Sequence, residues 1–279
     1  MNRDLLSSSS EGSNYTADDG AIRVNIYGAN GAFESEIDTI YETTKDFLGE
    51  LYLDTDLTGY SIYSYETDAQ IEMDADGKTR HERHNELIQQ GYDAIGNSEY
   101  DDEHAVVIWV YWDHSSDSSD CGGEDPCPDT FAMGHDVSYS SSYQAWFRQP
   151  YVYRDSPDLY DIHQAFVYEN RHEKESDGIA GAHELGHVLI THDAAEVKAL
   201  TPDREDQETG EHDDHYLGRS FDFFGETYNT IMAHRSLEAV TNEKADCYNT
   251  ESYSEIRTAT SSCTRDSIGY SIDYFIENT

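Results

Sequence analysis

Two histidines and a glutamate near the middle of the chain have the types and the spacing of a metal site. His183 and His187 are four residues apart, and Glu184 directly follows the first of them. On an α-helix, positions i and i+4 share one face, so both imidazoles can point at one ion. Glu184 would lie roughly 100° further around that helix, where its carboxylate can accept a proton from water. Because imidazole nitrogen suits zinc, the segment predicts a zinc site (Zn²⁺) with an adjacent general base.

The residues around the pair predict a buried helix, since most of them are apolar. The apolar residues are Ile179, Ala180, Ala182, Val188, Leu189 and Ile190. The alternative interpretation is a chance match on an ordinary core helix whose histidines are hydrogen bonded. The segments that follow in the chain favour the metal site.

A catalytic zinc needs a third protein ligand and one open position. The segment 193–200 is rich in helix-forming residues and predicts that the helix continues. On a continuous helix Asp193 would lie roughly 280° from His183 and could not share the ion. We therefore prefer His215, which precedes a partly apolar Tyr-Leu-Gly segment, and keep Asp193 as the alternative third ligand. The further candidates are His212, His192 and Glu211.

The charge balance of the whole chain is extreme. Its 279 residues include 17 Lys+Arg and 58 Asp+Glu, for a formal net charge of −41. Aromatic residues make up 12% of the chain, which argues against disorder. Because the acidic residues are spread along the chain, we favour a halophilic protein adapted to molar salt, where charge repulsion is screened. Nucleic acid is excluded as a partner because no basic patch exists to neutralise phosphates. No apolar run reaches ~20 residues, so we expect no membrane span.

The N-terminus and the cysteines bear on localisation. Residues 1–20 are polar, which predicts a flexible segment with no visible signal peptide. The four cysteines form two sequence-local pairs without metal-ligand spacing, which favours the disulfides Cys121–Cys127 and Cys247–Cys263 over free thiols. Disulfides persist in oxidising compartments. We therefore expect a secreted or cell-surface protein. We also expect the protein to be a monomer.

The order of hydrophobic patterns predicts an α/β (α+β) fold with a mostly parallel sheet. Alternating or continuous apolar patterns predict four strands, and helical spacing predicts two helices that would back the sheet. The strands are expected at 21–27, 60–65, 105–112 and 163–168, and the helices at 34–51 and 84–95. One domain is expected over 21–279, with an N-terminal subdomain at about 21–190 and a C-terminal subdomain at about 191–279.

A methionine downstream of the histidines adds a resemblance to a known family. Met232 lies in the segment Tyr228-Asn-Thr-Ile-Met-Ala-His234, about 45 residues after the His-Glu-x-x-His motif. Together with that motif and the preceding strand–helix order, it resembles the Met-turn of the metzincin clan of zinc endopeptidases. The resemblance covers roughly residues 21–234. The chain departs from the clan pattern at Ile190, which stands where the clan has a glycine, and at Asp193, which stands at the position of the clan's third ligand.

The resemblance implies a fold and a set of roles. The fold would be a twisted, mostly parallel sheet with two backing helices, an active-site helix, and a C-terminal subdomain that ends the cleft at the Met-turn. His183 and His187 would bind zinc, Glu184 would be the general base, and Met232 would form the floor of the site. His234 or Tyr228 would stabilise the oxyanion or support the site.

These features together predict a zinc-dependent endopeptidase that acts on a peptide or protein substrate. The alternative is a non-catalytic metal-binding or cell-envelope interaction protein that retains the metallopeptidase fold. A non-catalytic copy often loses the general base, whereas Glu184 is present.

Overall fold

The computed structural model describes the two ends of the chain, the core of the sheet and the segments around the histidines. The described residues are 2–12, 21–29, 31–32, 34–55, 57–70, 90, 93–94, 105–111, 162–168, 181–183, 185–187, 189–190, 194–201, 217–223, 226–232, 255–256 and 259–278.

The main sheet has five described strands, four of them parallel to one another. They are β1 (Arg3–Gly12), β2 (Ala21–Ala29), β3 (Gly59–Thr67), β4 (Ala105–Tyr111) and β5 (Ile162–Tyr168). Their order is β1-β3-β2-β4-β5. Strands β3, β2, β4 and β5 pair in parallel, and β1 pairs with β3 in the antiparallel direction. This mixed sheet with helices confirms the expected combination of helices and a mostly parallel sheet.

The first helix, α1 (Glu34–Asp54), packs on one face of this sheet. The apolar residues of α1 at helical spacing are buried, among them Ile37, Phe47 and Leu48 at 0% exposure. Burying each such side chain contributes about 1.5–3 kcal/mol. A Cβ atom at Gly28 of β2 would overlap the side chain of Ile37, so this glycine lets the helix approach the sheet closely.

Strand β4 is covered on both faces, as its continuous apolar run predicts. Ile108, Trp109 and Val110 are consecutive and all fully buried. Neighbours in a strand point to opposite faces, so both faces of the sheet are covered at this point. On the face away from α1, Trp109 packs against Tyr27, with ring centroids 5.2 Å apart.

The N-terminal segment differs from the expectation. Residues 3–12 form strand β1, which pairs with β3 from Arg3 opposite Thr67 to Gly12 opposite Gly59, with a shift of register between Leu5 and Ser7. The expectation of a flexible segment is therefore wrong for these residues. Their serine-rich sequence has no apolar alternation that would predict a strand. Backbone pairing to β3 holds the strand, and a pattern of side-chain types does not predict such pairing.

A second, smaller sheet and a long helix form the C-terminal part. The sheet contains β6 (Ser220–Phe223), β7 (Glu226–Asn229) and β8 (Glu255–Ile256) in that order. A short helix, α2 (Ala195–Leu200), packs against the long helix α3 (Ser262–Asn278). Ser261 caps α3, because its hydroxyl accepts a hydrogen bond from the backbone N–H of Thr264 at 3.0 Å.

The remaining expectations concern residues that are described only in part. Three residues of the helix expected at 84–95 are described, and all three are helical: Gln90, Asp93 and Ala94.

Among the helices described, none combines the length and the apolar character that a membrane crossing requires.

Candidate metal centre

The two histidines lie on a helix that packs directly against α1. We call residues 181–189 the histidine helix, since every described position in this range is helical. Ala182 and Leu185 are fully buried in the core. A Cβ atom at Gly181 would overlap the side chain of Ile40 and come within 3.2 Å of the Thr44 hydroxyl. The small residue at 181 therefore permits the close crossing of the two helices.

The imidazoles of His183 and His187 converge through their Nε2 atoms. These two nitrogens are 3.2 Å apart, and the ring planes meet at 86°. Two nitrogen ligands at 2.0–2.1 Å from a tetrahedral zinc ion are about 3.3–3.4 Å apart. The pair therefore fits two adjacent corners of a zinc coordination sphere.

The second nitrogen of the His183 ring is anchored by the backbone. His183 Nδ1 lies 2.5 Å from the carbonyl oxygen of Ile231. A carbonyl oxygen only accepts, so Nδ1 carries the proton and donates it to this bond. The lone pair of the neutral ring is then on Nε2, which faces His187. Metal-binding histidines commonly have this arrangement, because the outer hydrogen bond fixes the tautomer and the ring orientation.

The facing nitrogens of the pair allow two arrangements. His187 is 3% exposed, so water screens its Nε2 atom little. Two lone pairs that face each other at this distance repel unless a proton or a cation lies between them. Either His187 donates an Nε2–H proton to His183, or both nitrogens share a cation. Zinc binding requires the arrangement in which both imidazoles are neutral and both Nε2 atoms share the cation.

Met232 packs beneath the turn of the helix that carries the histidines. It is fully buried and lies in a turn with Ile231. A Cβ atom at Gly186 would overlap the Met232 sulfur and come within 3.4 Å of its terminal methyl carbon. The methionine thus touches the backbone of the histidine helix between the two histidines.

Backbone and hydroxyl hydrogen bonds hold the turn that contains Met232. Thr230 N–H donates to Arg219 O at 2.8 Å, and Arg219 N–H donates to Thr230 Oγ1 at 2.8 Å. Ile231 N–H donates to Ala259 O at 2.9 Å. Two main-chain bonds and one bond to a side-chain hydroxyl therefore hold the segment whose carbonyl group orients His183.

The histidine helix does not continue into α2, so the expectation of a continuous helix is wrong. Ile190 is not helical, and Ala194 is extended, with φ −68° and ψ 127°. Ile190 is buried at 1% exposure, so the chain leaves the helix at a core position where packing overrides the helix propensity of the following residues. The angular argument against Asp193 as third ligand therefore no longer applies.

The candidates for a third ligand lie outside the described residues. Within the part of the chain that is described, no group of three or more His, Cys, Asp or Glu residues could hold a metal ion. All the candidates fall outside that part: Asp193, His215, His212, His192 and Glu211. The third ligand therefore stays a prediction.

The other expected site residues are described unevenly. Glu184 and His234 lie outside the described residues. Tyr228 is in β7, is 7% exposed, and packs against Phe221 with ring centroids 5.9 Å apart. Cys263 is disulfide bonded, while Cys121, Cys127 and Cys247 lie outside the described residues. Both disulfide pairings and the oxyanion roles stay predictions.

The sequence interpretation missed the carbonyl group of Ile231. Its contribution is a backbone atom, which every residue carries, so the residue type holds no signal for it. The nearby motif Thr-Ile-Met predicted the turn that contains Ile231, but it gave a role in the site only to Met232.

No family model matches this chain, and no curated protein matches it at a significant level.

Proposed function

We propose that this protein is a zinc-dependent endopeptidase of the metzincin type that hydrolyses peptide or protein substrates. The observation that carries the proposal is the 3.2 Å separation of the His183 and His187 Nε2 atoms, with His183 Nδ1 anchored on a backbone carbonyl. This separation matches the distance between two nitrogen ligands of a tetrahedral zinc ion. The contact between Met232 and Gly186 supports the resemblance to the Met-turn, because the methionine packs against the helix between His183 and His187.

The proposed mechanism assigns a task to each residue of this chain. A zinc ion held by His183, His187 and a third ligand would supply Lewis acidity and lower the pKa of a water towards ~7. Ile231 keeps the His183 ring in the tautomer that binds a cation. Glu184, next to His183 in the sequence, accepts the proton of the attacking water and passes it to the leaving amine. His234 or Tyr228 donates a hydrogen bond to the oxyanion.

The proposed setting is a secreted or cell-surface protein that works in high salt. The formal net charge of −41 supports this setting, because such repulsion is tolerable when salt shortens the Debye length to about 3 Å at 1 M. The disulfide at Cys263 supports an oxidising compartment.

The test is hydrolysis of casein and of quenched fluorescent peptides in molar NaCl. We expect activity that a chelator removes and that added zinc restores. Glu184→Gln should keep the zinc and lose about 10²–10⁴-fold in rate, the usual contribution of a general base. Glu42→Gln is the matched control, because Glu42 is an exposed residue that pairs with Lys45 on α1.

Two results would contradict the proposal. Activity that survives complete removal of metal would exclude a metallopeptidase. Zinc binding by the wild-type protein without hydrolysis of any peptide would instead indicate a non-catalytic metal-binding protein.

A further inference from the structure

We propose that Glu50, on the far end of α1, is a positioning residue for the metal site, acting on the His183 ring through Thr260, Ala259 and Ile231. This inference rests on the proposed zinc site. Glu50 lies outside the His-Glu-x-x-His motif, 133 positions before His183 in the sequence.

The first step is the contact between Glu50 and Thr260. The backbone N–H of Thr260 donates to both carboxylate oxygens at 3.1 Å, and its hydroxyl donates to Oε1 at 2.8 Å. The two residues are 210 positions apart, so this contact joins α1 to the start of α3. Hydrogen bonds to an ionised carboxylate are roughly twice as strong as neutral ones.

Arg265 closes the contact from the other side. Its Nη1 donates to Thr260 O and to Thr260 Oγ1, both at 3.0 Å, and to Glu50 Oε1 at 3.4 Å. The Thr260 backbone N–H, carbonyl and hydroxyl are therefore all held by these two charged side chains. Thr260 is 7% exposed, so water offers little replacement for these bonds.

Residues 259–261, which we call the junction segment, connect this contact to the metal site. Ala259 O accepts from Ile231 N–H at 2.9 Å, and Ile231 O accepts from His183 Nδ1–H. On the other side of Thr260, the Ser261 hydroxyl donates to Leu217 O. Three consecutive residues thus bind three separate parts of the chain.

A change at Glu50 should therefore reach the ring of His183. Without the carboxylate, the buried Thr260 N–H has no acceptor and is left unsatisfied unless the segment moves. Movement of the segment displaces Ala259 O and then Ile231, whose N–H donates to that oxygen. The carbonyl group of the same residue holds His183 Nδ1, so the displacement reaches the ring. The orientation of a metal-binding histidine depends on its outer hydrogen bond, and loss of such bonds commonly weakens metal binding by 10–100-fold.

The experiment compares Glu50→Ala and Glu50→Gln with Glu42→Ala as control, in molar NaCl. Glu42 lies on the same helix, but its carboxylate pairs with the side chain of Lys45 at 2.9 Å. One readout is zinc affinity, measured by competition with a chelator. The other is the ¹⁵N NMR spectrum of the imidazoles in the metal-free protein, which reports the tautomer of His183 without any need for activity.

We expect Glu50→Ala to weaken zinc binding by about 10–100-fold. We expect the same variant to bring the Nδ1 and Nε2 shifts of His183 closer together, as the two tautomers mix. Glu50→Gln should lie between Glu50→Ala and the wild type, because its amide keeps one acceptor. Glu42→Ala should match the wild type in both readouts. If Glu50→Ala does not fold, two milder variants carry the same comparison: Glu50→Gln, and Thr260→Val, which removes the hydroxyl group with its bonds to Glu50 and Arg265 but keeps the backbone N–H.

A folded Glu50→Ala protein with wild-type zinc affinity and wild-type His183 shifts would overturn the inference. The two proposals can fail separately. Absence of zinc binding by the wild-type protein removes the proposed function, while the NMR comparison still decides whether Glu50 controls the His183 ring. Zinc binding that is indifferent to Glu50 removes the positioning role alone.

Discussion

The sulfur of Met232 occupies the space into which a side chain at Gly186 would project. A Cβ atom there would overlap Sδ and lie 3.4 Å from the methyl carbon and 3.7 Å from Cγ. Gly186 directly precedes His187, so the contact lies next to a proposed metal ligand. The absence of a side chain at 186 allows the methionine to support the backbone of the histidine helix.

Gly186→Ala should therefore destabilise the protein, although alanine favours helices by about 1 kcal/mol over glycine. Met232 is fully buried, so it has little room to move. Overpacking of this kind costs about 1–3 kcal/mol. Guanidinium unfolding monitored by circular dichroism measures the change in the free energy of unfolding.

The matched control for that substitution is Gly269→Ala in α3. No atom lies within 4 Å of a Cβ atom at Gly269, so alanine there should raise the free energy of unfolding by about 0.5–1 kcal/mol. Equal stabilisation by both substitutions would show that Met232 does not pack against Gly186.

The break after Leu189 shifts our preference for the third ligand from His215 to Asp193. Asp193 lies in the segment between the non-helical Ile190 and the extended Ala194, so helical geometry no longer directs it away from His183. We expect Asp193→Ala to abolish zinc binding and His215→Ala to retain it, measured by metal analysis after dialysis. The opposite result would restore His215, and zinc retained in both variants would point to His212, His192 or Glu211.

Alkaline pH should destabilise the fold through two tyrosines of the core. Burial raises the pKa of Tyr41, and burial followed by the charge of Glu11 raises the pKa of Tyr60. Below the unfolded pKa of about 10 both states keep the phenol proton, and the stabilisation is fully present. As pH rises above 10, the unfolded chain releases protons that the folded state still holds, so the free energy of unfolding falls.

Tyr60→Phe removes one of these two groups and should flatten the decline in stability above pH ~10. Tyr270→Phe is the control, since that ring is 41% exposed. Unfolding at a series of alkaline pH values measures both slopes. An unchanged slope in Tyr60→Phe would contradict the assignment.

Salt should stabilise the protein strongly. With a formal net charge of −41, repulsion between carboxylates opposes the compact state, and the Debye length falls from about 10 Å at 0.1 M to about 3 Å at 1 M. We expect the melting temperature to rise over this range of NaCl. Sucrose at matched osmolality is the non-ionic control, because it favours burial without screening charge. A melting temperature that is indifferent to NaCl would contradict adaptation to salt.

The sequence alone predicted the elements whose pattern is local. The alternation over residues 21–27 and the helical spacing over residues 34–51 depend only on nearby residues. The observed elements are β2 (Ala21–Ala29) and α1 (Glu34–Asp54). The continuous apolar run over residues 105–112 likewise predicted a strand covered on both faces, observed as β4 (Ala105–Tyr111). Burial of one face leaves a periodic apolar pattern in the sequence, and burial of both faces of a strand leaves a continuous apolar run. The spacing of His183 and His187 belongs to the same class of signal.

Tertiary structure decided the features that depend on distant partners. Helix propensity predicted one helix through Asp193, whereas the extended Ala194 separates two helices. Strand β1 exists because β3 supplies its hydrogen bonds, and α3 is joined to α1 through Glu50 and Thr260 across 210 positions. The orientation of His183 depends on the carbonyl oxygen of Ile231. Backbone atoms are the same in every residue, so their partners become known only when the chain is folded.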